Sequence, residues 1–69
     1  MDRESVTSSN IASVGYDAGS SVLEVEFKKG GIYQYFDVPP SVHIEMLQGE
    51  SVGKYFAANV KDAFRYSRV

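Results

Sequence analysis

The chain has no cysteine and no tryptophan, a single histidine and only two prolines. Without cysteine there is neither a disulfide nor a thiolate metal site. With His43 as the sole imidazole, a zinc site built from protein ligands alone is not expected, nor is any cofactor. No apolar run approaches the ~20 residues that cross a bilayer. The opening MDRESVTSS is polar and of mixed charge, with no apolar stretch of the kind a secretory signal needs. The expectation is a cytoplasmic, soluble protein whose residues 1–9 form a flexible tail on one domain, residues 10–69.

These absences matter because the chain has only 69 residues. A domain of this size buries about 60% of the surface its unfolded form exposes, and its core supplies roughly 3–5 kcal/mol beyond the entropy cost. Five tyrosines and four phenylalanines offer a route to efficient packing. Self-association, as a homo-oligomer, is the other route.

Charge is low overall, a net −2, but unevenly placed. From Lys54 to Val69, Lys54, Lys61, Arg65 and Arg68 oppose only Asp62. From Asn10 to Gly53, Lys28 and Lys29 face Asp17, Glu24, Glu26, Asp37, Glu45 and Glu50. A basic end on an acidic body argues against a dedicated nucleic-acid binder, whose affinity rests on phosphate contacts, and leaves room for a local anion site.

The hydrophobic pattern changes period midway. Ile11–Asp17 alternates loosely, and Val22–Lys28 alternates cleanly: Leu23, Val25 and Phe27 on one face, Glu24, Glu26 and Lys28 on the other, where the charges would face solvent. A hairpin through KKGG leads to a third strand over Ile32–Val38. Two registers compete. A two-residue turn at Lys29-Gly30 would put Ile32, Gln34 and Phe36 on the core face. A three-residue loop, Lys28-Lys29-Gly30, would put Tyr33 and Tyr35 there, over Val25 and Leu23. A slip of one residue flips every side chain. The longer loop is favoured because it asks for a positive φ at Gly30 alone and keeps Gln34 off the apolar face.

Two helices follow. Pro40 suits a first helical position and Gly49 the residue past the end, with Val42, Met46 and Leu47 on the buried side. Ser51 is a good N-cap for the second, where Phe56, Val60 and Phe64 recur at i, i+4 and i+8 with Ala57 and Ala63 beside them. The closing RYSRV alternates and suits a short last strand. The fold class is α+β: a three-stranded antiparallel meander, with a short fourth C-terminal strand if RYSRV pairs, covered on one face by two helices in the order β-β-β-α-α-(β).

SVGYD, then LEVEFKKGGIYQYFDVPPSV, then SVGKYF and RYSRV resemble, in order and spacing, the KTSC family, a small domain named after the C-terminus of some lysyl-tRNA synthetases. The resemblance covers roughly Ser9 to Val69. It implies that Tyr16, Tyr33, Tyr35 and Pro39 are family-motif positions with a structural role. Its association with a tRNA synthetase implies RNA as a candidate partner.

Catalysis is not expected. His43 has no second imidazole or thiol to work with, and its i, i+4 relation to Leu47 reads as packing. The start of the second helix is the best anion site in the sequence: Ser51, Gly53 and Lys54 bring free backbone N–H groups, a hydroxyl and an ammonium to the positive end of a helix dipole. Plain capping is the competing reading. Tyr55, Asn59, Lys61, Arg65, Tyr66 and Arg68 would extend the site into a basic-aromatic surface for RNA or a nucleotide. A protein-interaction module pairing through a sheet edge is the alternative.

Overall fold

The computed structural model describes residues 1–69 as one antiparallel sheet with two helices against one face. The strands are β1 (Glu4–Ser5), β2 (Ile11–Asp17), β3 (Val22–Phe27), β4 (Ile32–Tyr35) and β5 (Tyr66–Arg68). The helices, α1 (Pro40–Gln48) and α2 (Val52–Asn59), lie between β4 and β5 in the chain. Strand order in the sheet is strand order in the sequence, β1 to β5.

The register follows the longer hairpin loop. Val25 pairs with Tyr33 and Leu23 with Tyr35, and Phe27 donates its N–H to the Gly31 carbonyl at 3.1 Å. Both tyrosines therefore face the helices. The turn differs in one respect: Gly31, at φ +93°, joins Gly30, at φ +109°, in the left-handed region. A side chain at Gly31 would also meet the Arg68 guanidinium and the Tyr33 ring at 3.2 Å.

The loose alternation of β2 has a physical origin. Ile11 pairs with Phe27 but Ser13 with Glu26, so Ala12 is an extra residue in the ladder. This bulge lets Ile11 and Val14, three apart, both enter the core. With Leu23, Val25 and Tyr35 from the sheet they pack against Val38, Met46, Val52, Phe56 and Val60. A buried side chain of this size contributes about 1.5–3 kcal/mol, so the cluster is the main source of stability.

Four expectations are corrected. First, residues 1–9 are not a free tail: Glu4 pairs with Val14 and Ser5 with Ser13. The arm crosses Gly15, where a Cβ would lie 2.5 Å from the Asp2 carbonyl oxygen; the glycine is what admits it. Second, Glu24 is buried, 6% exposed, rather than solvent-facing. Arg3 pairs with one carboxylate oxygen and Gln34 donates to the other at 2.9 Å. The Gln34 hydrogen bond, then Arg3, hold the carboxyl below its ordinary range against the opposing effect of burial. Third, β4 stops at Tyr35 because Asp37 turns through φ +58°, a conformation aspartate tolerates better than most residues. Fourth, α2 ends at Asn59. Asn59, Val60 and Asp62 are poor helix formers, so Phe64 is half-buried beyond the helix and Ala57 and Ala63 are exposed.

Candidate functional site

The residues that sequence reasoning grouped around α2 do not form one surface. Ser51 caps the helix, accepting from the Lys54 N–H at 3.2 Å, so its hydroxyl and one free N–H satisfy each other. Lys54 and Tyr55 share a shallow depression there with Gly49, Glu50 and Ser51. The Glu50 carboxylate beside it works against an anion. Tyr55 is directed to Glu45, 3.4 Å away, and partial desolvation followed by that carboxylate raises its phenol. Asn59 donates its amide to the Tyr55 carbonyl, one turn back.

Arg65 lies elsewhere. Its guanidinium pairs with Asp37 at 2.7 Å, both groups largely exposed, and stands over the Phe36 ring at 5.9 Å. The pair contributes little energy in water but removes Arg65 from the α2 surface. His43 is stacked on Tyr16 with ring centroids 5.0 Å apart. Burial lowers its pKa, with Glu4 opposing. No cluster of three His, Cys, Asp or Glu side chains is placed to hold a metal ion.

The concave surface that does form is a groove of about 490 Å³ between α2 and the end of the sheet nearest the β3–β4 hairpin. Of the expected site residues it takes Gly53, Lys61 and Tyr66. Its wall is aromatic: Phe27, Tyr33, Tyr35, Phe56 and Tyr66. The reason is register. Phe27, Tyr33 and Tyr35 share the helix-facing side of the sheet, and pairing Tyr35 with Tyr66 extends that side to the last strand. Gly53 and Ala57 keep the facing side of α2 low.

Within the groove, Phe56 meets Tyr35 and Phe27 edge-on, at 5.4 Å in each case. Tyr66 tilts against Tyr33 and Tyr35 at 5.9 and 5.5 Å. Tyr35 forms the floor at 4% exposure, whereas Tyr66 forms the lip at 59%. Burial, with smaller effects from Tyr66, Tyr33 and Asp62, pushes the Tyr35 phenol up to about 12. It is a neutral donor at any physiological pH. Lys29, Lys61 and Asp62 complete the rim, none of them in an ion pair. Arg68 stands just outside, 5.8 Å over the Tyr33 ring.

The two roles weighed for Tyr33 and Tyr35 are therefore not exclusive. They lie on the core face of the sheet, and that face runs past the end of helix cover. Sequence reasoning missed Lys29 and Asp62 as rim residues, because only the hairpin and the turn after α2 bring them together. The small residues Gly53 and Ala57, four apart, were the available signal.

Comparison with known proteins places these features in a wider set. The KTSC domain family model matches residues 7–64. An uncharacterised protein of Stutzerimonas stutzeri is 40% identical over the whole of this chain and 99% of its own length. A lysine–tRNA ligase of Nostoc punctiforme is 33% identical over 86% of this chain, a stretch that makes up 10% of the ligase. The crystal structure of a KTSC domain protein from Yersinia pestis superposes with a TM-score of 0.96 at 35% identity, covering 99% of this chain and 96% of that one.

Proposed function

Because this chain belongs to the KTSC domain family, whose matched span contains every groove residue except Tyr66, we propose that the groove is its working site. In this reading the protein is a non-enzymatic, cytoplasmic binding domain that takes RNA or a nucleotide-type ligand, one base at a time. The observation that carries the reading is the convergence of Tyr33, Tyr35 and Tyr66 beside two lysines that pair with no carboxylate.

The chemistry follows from those groups. A planar base stacked on a tyrosine gains about 1–3 kcal/mol, with little preference among bases. Lys29 and Lys61 are placed to neutralise the attached phosphate, which makes affinity depend on salt. Asp62 at the rim accepts from amino groups and disfavours a second phosphate nearby. The acidic body keeps the attraction local. The lysine–tRNA ligases among the relatives bear the name of an RNA substrate, which supports an RNA-related ligand. Their own reaction is not carried over, since the shared stretch is about a tenth of their length.

The test is a titration of labelled single-stranded RNA of mixed sequence at low and at higher salt, with mononucleotides as competitors. Binding that falls steeply with salt, and that Tyr66→Ala and Lys61→Ala each weaken, supports the groove. Competition by mononucleotides alone narrows the ligand to a free nucleotide. Absence of binding by both classes at low salt overturns the proposal. So does binding that ignores both substitutions and responds to Lys54→Ala instead.

A further inference from the structure

The outer edge of β5 is open, and its hydrogen-bonding phase is fixed. The N–H of Phe36 reaches the Arg65 carbonyl and that of Val69 reaches the Ile32 carbonyl. Alternation along an antiparallel ladder then assigns Gln34 and Ser67 to the bonded pair between them. Tyr66 and Arg68 are therefore the residues whose backbone N–H and C=O groups point away from the sheet. The Arg68 carbonyl has one internal contact, the Ser67 hydroxyl at 3.4 Å, longer than an ordinary O–H···O bond.

Edges of this kind are usually guarded by proline, an inward charge or a covering loop. β5 has no proline, and the Arg68 side chain lies over the Tyr33 ring, on the helix-facing side rather than along the edge. All three β5 residues are exposed. β1, the other edge, presents only two residues.

We propose that β5 pairs with β5 of a second copy of this chain, antiparallel, about a two-fold axis through Ser67. A second copy fits because the two outward residues are spaced to satisfy one another. With Ser67 opposite Ser67 of the partner subunit, Tyr66 falls opposite Arg68 of the partner subunit, and Arg68 opposite the partner's Tyr66. Each such pair exchanges both of its outward bonds, so all four free donors and all four free acceptors of the two edges are matched. Directly opposed residues share a face. Swung from its own chain's Tyr33 ring toward the seam, the guanidinium of the partner's Arg68 reaches the Tyr66 ring, where a cation is favoured by the ring's negative face. The two sheets become one of ten strands, and each groove gains a cation at its Tyr66 lip from the other subunit.

The contact is short, so the association is weak and is to be sought at high concentration. Sedimentation equilibrium without ligand, from low micromolar to millimolar protein, reads it directly. Arg68→Pro removes the outward N–H without removing any bond to β4, whereas Arg68→Ala removes the side chain and keeps the N–H. The expected result is a concentration-dependent dimer whose dissociation constant rises at least tenfold with Arg68→Pro and less with Arg68→Ala. In parallel, hydrogen exchange of the Tyr66 and Arg68 amides in the unmodified chain slows as concentration rises. A monomer throughout the range overturns the proposal, as does a dimer with these two amides still exchanging freely. Because no ligand enters the experiment, its failure leaves the groove reading standing.

Discussion

The Tyr16 hydroxyl donates to the backbone carbonyl of Val38, at 2.5 Å. Val38 is fully buried, and it precedes the two prolines that start α1. The bond thus ties the second strand to the entry of the first helix. Removing it with Tyr16→Phe leaves a carbonyl unpaired in the core, a cost of about 1–3 kcal/mol. Thermal unfolding should show a Tm lower by at least several degrees, with binding unchanged because Tyr16 does not line the groove.

Arg3 and Glu24 give a prediction with a definite sign. The Glu24 carboxyl is depressed in the folded protein from an ordinary value of 4.5. Its contribution is present in full above that value and disappears as pH falls through the lower, folded one. Arg3→Ala should therefore cost about 1 kcal/mol near neutral pH, and the deficit should shrink on acidification to about pH 3. Urea denaturation of both proteins at several pH values measures it. A deficit independent of pH would mean that Arg3 acts through packing and its hydrogen bond to the Ser13 hydroxyl rather than through the Glu24 charge.

Gly15→Ala tests the arm. Its methyl would collide with the Asp2 carbonyl oxygen, so either β1 detaches or β2 shifts. The expected loss is about 1–2 kcal/mol. In a chain lacking residues 1–5 the same substitution should be close to neutral, because nothing remains for the methyl to strike. Equal losses in the two backgrounds would place the strain in β2 itself.

His43 should titrate below its ordinary 6.5, because burial against Tyr16 disfavours the charged ring. A base depressed on folding stabilises the protein fully above its unfolded value and less as pH falls below it. The imidazole proton shifts of His43, followed by NMR from about pH 8 to 4, give the folded value directly. Replacement with phenylalanine keeps the stacking and should remove the part of the stability loss that sets in as pH falls below 6.5.

Phe56 holds the floor of the groove through edge contacts to Phe27 and Tyr35. Phe56→Ala should cost about 3–5 kcal/mol, comparable to the whole stability of a domain this small, and calorimetry should find no cooperative transition. Phe56→Leu should stay folded, with a smaller loss and a widened groove.

The strands from Ile11 to Tyr35 and both helix starts were legible in the sequence because each has a local cause: clean alternation in β3, a loop glycine in KKGG, Pro40 and Ser51 at the helix starts. The Tyr33–Tyr35 register was legible for the same reason, through the conformational demand on Gly30. Other features have causes distant in sequence. The β1 pairing depends on Gly15, ten or more residues on, and the burial of Glu24 depends on Arg3 and Gln34 together. The candidate site was legible as chemistry but not as geometry. Aromatic rings and lysines were recognised, yet nearness in sequence grouped them around α2 and the closing segment. The break after Asn59 moves Lys61 and Asp62 to the rim of the groove instead, and the Asp37 pairing takes Arg65 elsewhere.

Strand order that copies chain order has a consequence for any longer polypeptide in which such a domain is embedded. The incoming chain arrives at the β1 border and the outgoing chain leaves at the β5 border, four strand spacings or about 19 Å apart. A neighbour attached upstream would abut the Arg3 side and leave the aromatic cleft facing open solvent. A neighbour attached downstream would follow β5 and stand beside the cleft's lip at Tyr66. Attachment at one terminus or the other would thus act as a gate on access to the Tyr66 ring, with no change inside the domain.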